Sequence, residues 1–218
     1  MPEEDIENDV TDGQSEKETE EHVQVQENVL LYSAPLFGKY NLSEVAVSDR
    51  GLAKYINLTP VYVPHTAGKH ANKNFGKSKL NIVERLANQM MRTETYTGKK
   101  SKSLKVVEEA FDRVHSKTGK NPVQLLVSAL EHAAPREEIT RLQFGGISVP
   151  KAVDVSSSRR LDLALRYICL GAIAASHGST KPIAQCLADE IILASNGDMT
   201  SSAVSKRDEI ERVAMSAR

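Results

Sequence analysis

The sequence predicts a mainly α-helical protein, a bundle of about six helices with one projecting two-stranded β-ribbon arm. Two observations carry this fold class. From residue 78 onward, apolar residues recur at three- and four-residue spacing, which places them along one face of successive helices. One segment, residues 137–155, instead alternates apolar with polar residues around a pair of glycines, which is typical of a β-ribbon.

Charges are strongly segregated along the chain. Residues 1–28 contain eleven acidic residues and one lysine, a net charge of −10, and few large apolar side chains. Such a segment cannot offset the entropy of ordering by burying apolar surface, so we predict a disordered acidic tail. The rest of the chain carries 27 basic and 18 acidic residues, a net charge of +9. That excess predicts a polyanionic partner for the body of the protein.

Residues 29–218 are predicted to form a single domain. Its first part, residues 29–64, has short apolar patches interrupted by proline and glycine, which indicates an irregular or partly extended lead-in. Cys169 and Cys186 fall inside apolar helical patterns without redox or metal-ligand spacing, so we expect buried thiols in a reducing compartment. No apolar run reaches the ~18 residues of a membrane span, and we expect a soluble intracellular protein without membrane contact.

The first two predicted helices lie between residues 78 and 119. The first begins at Ser78, its expected N-terminal cap, and ends near Thr93. The second shows the apolar period from Leu104 and ends at Gly119, because glycine readily adopts the left-handed conformation that closes a helix.

A third helix and the ribbon follow. Asn121 is the expected cap of that helix, and Pro122 suits its first turn, where an N–H group is not needed; the helix ends by residue 135. In the ribbon, Gly145 and Gly146 supply the positive φ of a tight hairpin turn, and Pro150 favours an edge or a bulge. Because an isolated ribbon is marginal in water, we predict that it grips a partner.

Three more helices complete the predicted bundle. The serines at 156–158 are expected to cap a helix over residues 159–176, which is apolar on nearly all sides and is therefore predicted to be central and buried. Pro182 opens the next helix, and Ser202 is expected to cap the last one.

Residues 76–78, Gly-Lys-Ser, look like the end of a nucleotide phosphate-binding loop. That loop requires four residues between its two glycines, so that backbone N–H groups close around a phosphate. Gly68 is the glycine before Gly76 and leaves seven residues between them, and the Gly-Lys segment at 97–101 fails the same count. The sequence also contains no zinc-ligand histidine spacing and no serine nucleophile elbow. We therefore expect neither an enzyme nor a bound cofactor or metal.

Both Gly-Lys segments are rich in lysine next to the start of a predicted helix. Further basic residues flank the ribbon and open the later helices. Several basic clusters that converge in three dimensions would neutralise backbone phosphates, so this pattern favours a nucleic-acid partner. The lysines of the two segments are Lys69, Lys73, Lys77 and Lys79, and Lys99, Lys100, Lys102 and Lys105.

The order and spacing of six blocks resemble the universal small-subunit ribosomal protein seven family. The resemblance covers roughly Thr59 to Arg218, and the P-R-E-E-x-T-R entry to the ribbon is similar to the archaeal and eukaryotic branch. The blocks are FGKSKLNIVERLANQMM, GKKSKSLKVVEEAFDRV, TGKNPVQLLVSALEHAAPREEITRLQFGG, AVDVSSSRRLDLALRYICLGA, KPIAQCLADEIILASNG and AVSKRDEIERVA.

The resemblance implies a structural constituent of the small ribosomal subunit, with residues 29–218 as a single helical RNA-binding domain. Members bind the 3′ major domain of small-subunit rRNA, help nucleate assembly of the subunit head, and act in translation on the cytoplasmic ribosome. The ribbon and last helix are implied to face exit-site tRNA and the mRNA path, beside head and platform proteins that include the one numbered eleven. The acidic tail has no counterpart that assigns it a role.

Matching the blocks carries RNA contact onto eleven basic residues. Arg113, Arg166 and Arg212 are left out, because a carboxylate on the same helix could pair with each. Gly145 and Gly146 form the ribbon tip. Replacing Lys99, Lys100 and Lys102 together is expected to weaken RNA binding without changing thermal stability. The eleven expected RNA-binding residues are Lys77, Lys79, Lys99, Lys100, Lys102, Arg136, Arg141, Arg159, Arg160, Lys206 and Arg207.

Two other classes of function also fit the composition. An architectural DNA-binding protein can combine a helical body with a β arm that enters the minor groove. A helical adaptor could instead use the acidic tail as its contact with another protein. Competition by duplex DNA and the salt dependence of RNA binding separate these classes from the ribosomal one.

Overall fold

The computed structural model describes residues 34–94 and 96–218; the predicted acidic tail lies outside these ranges. In that part of the chain, seven α-helices accompany one antiparallel pair of strands, which confirms the predicted mainly α fold with a β-ribbon arm. The elements in order are α1 Arg50–Ala53, α2 Ile82–Met90, α3 Lys100–Thr118, α4 Pro122–Ala133, β1 Glu137–Phe144, β2 Ile147–Asp154, α5 Ser157–Ser176, α6 Ile183–Ser195 and α7 Ser202–Ser216.

Helix α2 begins later than the sequence predicts. Asn81, not Ser78, is its N-terminal cap, and the Asn81 side chain accepts a hydrogen bond from the Val83 N–H at 2.9 Å. Residues Gly76–Lys79 form a short 3-10 helix instead, and there the Ser78 hydroxyl donates to the Phe75 carbonyl at 2.7 Å. A second 3-10 turn, Lys69–Asn72, precedes it. The loop before α2 is therefore structured by its own local hydrogen bonds.

The predicted boundaries around α3 and α4 are confirmed. Gly119 ends α3 with a φ of 69°, and its N–H donates to the His115 carbonyl at 2.8 Å. Asn121 caps α4 by accepting from the Val123 N–H at 3.0 Å, with Pro122 at the first helical position. The start of α3, however, is Lys100 rather than Leu104, so the helix includes lysines that the apolar period alone excludes.

One continuous hydrophobic core connects the helices. Helix α6 packs against α3, α4 and α5. Helix α5, predicted to be central, buries eight residues, but it exposes Leu170 and two alanines in its second half. Both cysteines are buried and free, as predicted, and burial raises the pKa of the Cys169 thiol.

Residues 34–64 pack onto this core without forming a long regular element. Leu36, Leu42 and Leu52 are fully enclosed, and α1 is a single turn capped by Asp49. Tyr40 packs edge-on against Phe111, and its hydroxyl donates to an Asp112 carboxylate oxygen at 2.6 Å. These contacts fix the start of the described chain against α3.

The ribbon pairs Glu137 with Asp154 at its base and Phe144 with Ile147 at its tip. Gly145 and Gly146 turn with φ of 56° and 89°, as predicted, and no atom lies within 4 Å of a side chain built at either position. The Val155 N–H donates to the Arg136 carbonyl, so these two residues are a hydrogen-bonded pair of the ladder. Hydrogen-bonded and non-hydrogen-bonded pairs alternate along antiparallel strands, and in this register Pro150 falls in a non-hydrogen-bonded pair, where no N–H is needed. The ribbon is thus regular, without the bulge that Pro150 allowed.

Helix α7 lies at the base of the ribbon and contacts both strands. Its N-terminal cap is Ser201 rather than the predicted Ser202. Glu190 of α6 accepts hydrogen bonds from the Ser201 hydroxyl at 2.8 Å and from the Ala203 N–H at 2.9 Å, so a buried carboxylate joins α6 to the start of α7. At the other end, the Ala152 N–H donates to the Ala217 carbonyl at 3.4 Å.

Candidate nucleic-acid interface

The loop from residue 65 to residue 79 brings four lysines to the surface before α2. Its backbone forms two 3-10 turns, and Ala67, Gly68 and Phe75 have positive φ. Gly76 is required there, because a side chain at this position would collide with the His70 carbonyl oxygen. The four lysines, Lys69, Lys73, Lys77 and Lys79, are all exposed.

A buried carboxylate brings this loop and the start of α3 together. Oε1 of Glu84, on α2, accepts from the Thr66 N–H at 3.0 Å and from the Thr66 hydroxyl at 3.1 Å. The same oxygen accepts from Nζ of Lys100 at 2.5 Å. Glu84 is completely buried, so this three-way contact joins the loop and the start of α3 to a carboxylate inside the fold.

The environment of Glu84 favours its charged form. Burial alone would raise the pKa of this carboxyl, but hydrogen bonds from Lys100 and Thr66 outweigh burial and hold the pKa below its ordinary value. The second oxygen, Oε2, has no hydrogen-bond partner within the described residues. Glu84 is therefore a buried anion, and the groups that stabilise its charge are Lys100 and Thr66, 16 and 18 positions away in the sequence.

A second carboxylate ties the loop to α5. Asp162 is paired with Lys77 from the loop, and its other oxygen accepts from Nη2 of Arg85 at 2.7 Å. Arg85 is buried and also donates to the Tyr55 carbonyl at 3.1 Å. The loop is thus held on two sides, by Glu84 of α2 and by Asp162 of α5.

These contacts define what we call the basic surface, formed by the lysines of the loop and of the first turns of α3. Its members are Lys69, Lys73, Lys77, Lys79, Lys99, Lys100, Lys102 and Lys105. The shared contact with Glu84 connects these two lysine clusters, which are separate in the sequence, through Thr66 and Lys100. Five of these lysines are exposed and make no ion pair with a carboxylate of the described part of the chain, namely Lys69, Lys73, Lys79, Lys102 and Lys105.

Lys100 differs from its neighbours in this surface. Its side chain is only 21% exposed and compensates the charge of Glu84. Removing it would leave a buried carboxylate without its cation, which costs stability. The ion pair argues against the expectation that Lys99, Lys100 and Lys102 can be replaced together without a change in thermal stability, and we instead expect that replacement to lower it.

At the base of the ribbon, two of the expected RNA-binding arginines are paired with carboxylates. Arg159 makes a two-pronged contact with Glu138 of β1, at 2.7 Å and 2.6 Å, which lowers the pKa of that carboxyl. Arg160 donates to Asp49 at 2.9 Å and is largely covered. Both arginines position the ribbon and the lead-in against α5 while leaving part of the Arg159 guanidinium open.

The expected basic residues of α7 are also paired. Lys206 contacts Glu209 at 2.7 Å on the exposed face of the helix. Arg207 donates to Asp208 at 2.7 Å and to the His132 carbonyl at the end of α4. Arg207 therefore joins two helices, whereas Lys206 remains accessible to solvent.

Arg136 and Arg141 complete the set that the sequence selects. Arg136 is exposed at the base of the ribbon, and Arg141 is exposed on β1. Neither side chain is in an ion pair within the described residues. The sequence suggests carboxylate partners on their own helices for three further arginines, but no such ion pair occurs in the described ranges. These three are Arg113, Arg166 and Arg212.

Sequence patterns did not identify the residues that organise this interface. Glu84 and Asp162 are single acids in apolar helices, and their lysine and threonine partners lie 16 to 85 positions away. The lysine clusters themselves can be recognised in the sequence.

Within residues 34–94 and 96–218, no group of three or more histidine, cysteine or acidic side chains could hold a metal ion. None of the helices described there is long and apolar enough to cross a membrane.

Comparison with protein families decides the identity of this fold. The model of the family described as ribosomal protein S7p/S5e matches residues 52–218. This chain belongs to the ribosomal protein S7p/S5e family. The match begins in α1 and runs through the basic surface, the ribbon and α7. Family membership confirms the resemblance seen in the six sequence blocks, and it makes this a structural, non-enzymatic ribosomal protein.

Archaeal relatives agree with this assignment. Small ribosomal subunit protein uS7 of Picrophilus torridus is 57% identical over 183 residues, which cover 84% of this chain and 98% of the relative. The protein of the same name from Archaeoglobus fulgidus is 57% identical over 183 residues, covering 84% of this chain and 94% of the relative. Methanococcoides burtonii has another, 54% identical, with 84% and 98% covered. Each of these alignments thus covers all but about one sixth of the S7p/S5e chain described here.

Proposed function

We propose that this protein is a constituent of the small ribosomal subunit that binds the 3′ major domain of its rRNA and helps nucleate assembly of the subunit head. The basic surface is the observation that carries the proposal. It joins two lysine clusters through Glu84 and offers at least five lysines that are exposed without a carboxylate partner in the described ranges. Membership of the S7p/S5e family supplies the class of RNA.

Binding in this proposal is driven by phosphate neutralisation. Each lysine or arginine that contacts a backbone phosphate releases condensed counterions, so affinity falls as salt rises. Aromatic residues make up 5% of the chain and tryptophan is absent, so base stacking contributes little. A-form RNA also hides its base edges in a deep, narrow major groove. Recognition therefore depends on the shape of an RNA junction, read through phosphates and 2′-hydroxyl groups.

The eleven basic residues fall into two roles under this proposal, direct phosphate contact and support of the fold. Lys79, Lys102, Arg136 and Arg141 are exposed and unpaired with described carboxylates, so they contact phosphate directly. Three further side chains now pair with carboxylates and would replace part of those contacts by contacts with phosphate on binding RNA: Lys77, Arg159 and Lys206. Lys100, Arg160 and Arg207 hold elements in place. Lys99 lies beside Lys100 at the edge of the basic surface and is assigned to phosphate contact.

The ribbon and α7 are assigned to the functional centre of the subunit. Gly145 and Gly146 lie in open space at the tip, so RNA can approach the backbone there closely. We place this arm near exit-site tRNA and the mRNA path, with neighbouring proteins of the head and platform, including the one numbered eleven. The exposed apolar residues of the ribbon support contact with such neighbours.

A binding measurement with matched variants tests the proposal. The full chain is titrated with a transcript of the 3′ major domain and with a transcript of equal length from another rRNA domain, between ~50 mM and ~200 mM salt. We expect tighter binding to the 3′ major domain. Replacing Lys79 and Lys102 by alanine is expected to reduce the slope of log affinity against log salt by about 0.9 for each duplex phosphate that the variant no longer neutralises.

The control variant removes the same charge at the far end of α3. At 1.5 Å per residue, Arg113 lies about 16 Å from Lys102 along α3, and Lys120 follows the end of that helix. Arg113→Ala with Lys120→Ala should leave the slope unchanged. Equal effects of the two double variants would contradict the basic surface as the RNA site. Duplex DNA that displaced the transcript as well as matched RNA does would favour an architectural DNA-binding protein, and binding that does not respond to salt would favour an adaptor.

A further inference from the structure

Phe75 is the most exposed of the large apolar side chains that the structure describes, at 72%. It lies in the loop before α2, close in sequence to Lys73, Lys77 and Lys79. We propose that its ring is the stacking site for an unpaired RNA base, while these lysines contact phosphates of the same strand. The inference rests on the proposed RNA-binding function and adds an uncharged residue to the basic surface.

The backbone of the loop holds the Phe75 side chain in solvent. Phe75 has a φ of 55°, a conformation that is rare for an aromatic residue. Its carbonyl accepts from the Ser78 N–H at 3.0 Å and from the Ser78 hydroxyl at 2.7 Å. On the same turn, the Gly76 N–H donates to the Lys73 carbonyl at 3.0 Å. These hydrogen bonds fix the chain on both sides of Phe75, so the loop itself determines the exposure of the ring.

The loop has little freedom to rearrange and bury this ring. Gly76 lies so close to the His70 carbonyl oxygen that a Cβ built at Gly76 would be 2.3 Å from it. The two 3-10 turns of the loop pack against each other, and Lys77 is paired with Asp162 of α5. A strained residue that keeps an apolar ring in water gives up the stabilisation of burial, which is typical of a residue that serves a ligand.

The surroundings of the ring favour a nucleotide over a protein as its partner. Lysine is depleted from protein–protein interfaces, and its compact ammonium group is strongly hydrated. A nucleotide instead joins a flat base to an anionic phosphate, so a single ligand matches both the ring and the charges beside it. The exposed lysines of the loop that carries Phe75 are Lys69, Lys73, Lys77 and Lys79.

The base that stacks on Phe75 must be unpaired. Inside a duplex, each base is stacked between its neighbours, whereas loops, bulges and ends expose bases that can stack on an aromatic side chain. The site therefore detects an unpaired base, which contacts with phosphates alone do not distinguish. Phe75 thus adds specificity for RNA structure to an affinity that the lysines supply.

RNA affinity and its salt dependence test this site in the full chain. Phe75→Leu keeps an apolar side chain but removes the aromatic face. We expect this variant to bind the 3′ major domain transcript about tenfold more weakly than the wild type does, with an unchanged slope of log affinity against log salt, because no charge is removed. The matched control is Tyr62→Leu, which removes another aromatic ring that is 60% exposed and should leave the affinity unchanged.

Tryptophan fluorescence provides a direct measurement, because the chain contains no tryptophan. Phe75→Trp keeps a stacking face and introduces a single indole, whose emission is quenched when a nucleobase stacks on it. We expect a short single-stranded RNA to quench this emission, and the same strand paired with its complement, which offers phosphates but no unpaired base, to quench it far less. The emission of Tyr62→Trp should not respond to the single strand.

The outcomes separate this inference from the proposed function. If the wild type prefers the transcript but Phe75→Leu binds it equally well, or Tyr62→Leu loses as much affinity, the inference alone is wrong. Equal quenching of Phe75→Trp by the single strand and the duplex would also overturn it, as would a response only to another protein. Failure of the wild type to prefer the 3′ major domain transcript would instead overturn the proposed function.

Discussion

At the scale of single residues, the chain uses its basic side chains in two ways that composition does not distinguish. Lys100 and Lys102 are two positions apart on α3, yet Lys100 compensates a buried carboxylate and Lys102 extends into solvent. Successive residues of a helix point about 100° apart, so a spacing of two places these side chains on nearly opposite sides. A lysine-rich segment can therefore combine an internal support with an external contact.

Lys100→Ala and Lys102→Ala should affect different properties of the protein. We expect Lys100→Ala to reduce the free energy of unfolding by about 3 kcal/mol, because Glu84 is left buried without its cation. Lys102→Ala should change stability by less than about 0.5 kcal/mol and weaken RNA binding. Urea denaturation and RNA titration of both variants provide the measurements, and equal stabilities of the two would contradict the role of Lys100.

Glu84 should also make stability depend on pH. Its pKa is lowered in the folded protein, so the stability it contributes is present above the ordinary glutamate pKa and is lost as pH falls through the folded value. Glu84→Gln keeps an acceptor for Thr66 but carries no charge. We expect the wild type to be more stable than Glu84→Gln at pH 7, and the difference to shrink as pH falls below about 4. Thermal melts at both pH values measure this, and a constant difference would contradict it.

At the scale of elements, the ribbon is the part of the fold that depends least on the rest. Its strands contact α7 at their base, while the tip lies in open space. The ion pair of Arg159 with Glu138 and the hydrogen bond from Ala152 to Ala217 are both in the lower half. Local changes at the tip should therefore stay local.

Gly146→Val tests this independence. A β-branched side chain is strained at a φ of 89°, and the turn should be destabilised by about 1 to 3 kcal/mol. We expect faster amide exchange in β1 and β2 and an unchanged melting temperature for the helical body. The control is Ser148→Val, which lies on a strand where valine is favoured. A large fall in the melting temperature of the body for Gly146→Val would show that the tip supports the whole fold.

Elements were predictable from sequence where a local pattern determines them. The period of apolar residues located six helices, and Gly119, Asn121 and the glycine pair marked their boundaries and the turn. Ser78 failed as a cap because the chain before α2 closes into a 3-10 turn, which no apolar period reveals. The partners of Glu84 and Asp162 were not predictable, since tertiary packing alone brings them together.

At the scale of the whole molecule, charge and core are separated. The core is a continuous apolar cluster that includes both cysteines, whereas the excess of basic residues lies outside it. A body of net charge +9 repels itself, and a polyanion that binds it relieves this repulsion. RNA should therefore act as a stabilising ligand for the entire fold.

Thermal denaturation with ligands checks this expectation. With free transcript of the 3′ major domain at about 100 times its Kd, linkage stabilises the folded state by about 2.7 kcal/mol. For a domain of this size the melting temperature should rise by about 5 to 10 °C. ATP should produce no shift, because the Gly-Lys-Ser segment is a 3-10 turn of the wrong loop length for a nucleotide. A shift with ATP as large as that with RNA would contradict the non-enzymatic assignment.

The register of the ribbon has a consequence for self-association before assembly. Backbone N–H groups that do not pair within the ladder point outward, where a strand of another molecule could join them. On β2, Pro150 has no N–H to offer and that of Ala152 is taken by Ala217. The outer edge of β1 keeps its donors at Arg141 and Gln143, beside exposed Leu142. Unassembled copies should therefore aggregate more readily through the edge of β1 than through the edge of β2, where proline interrupts the row of donors.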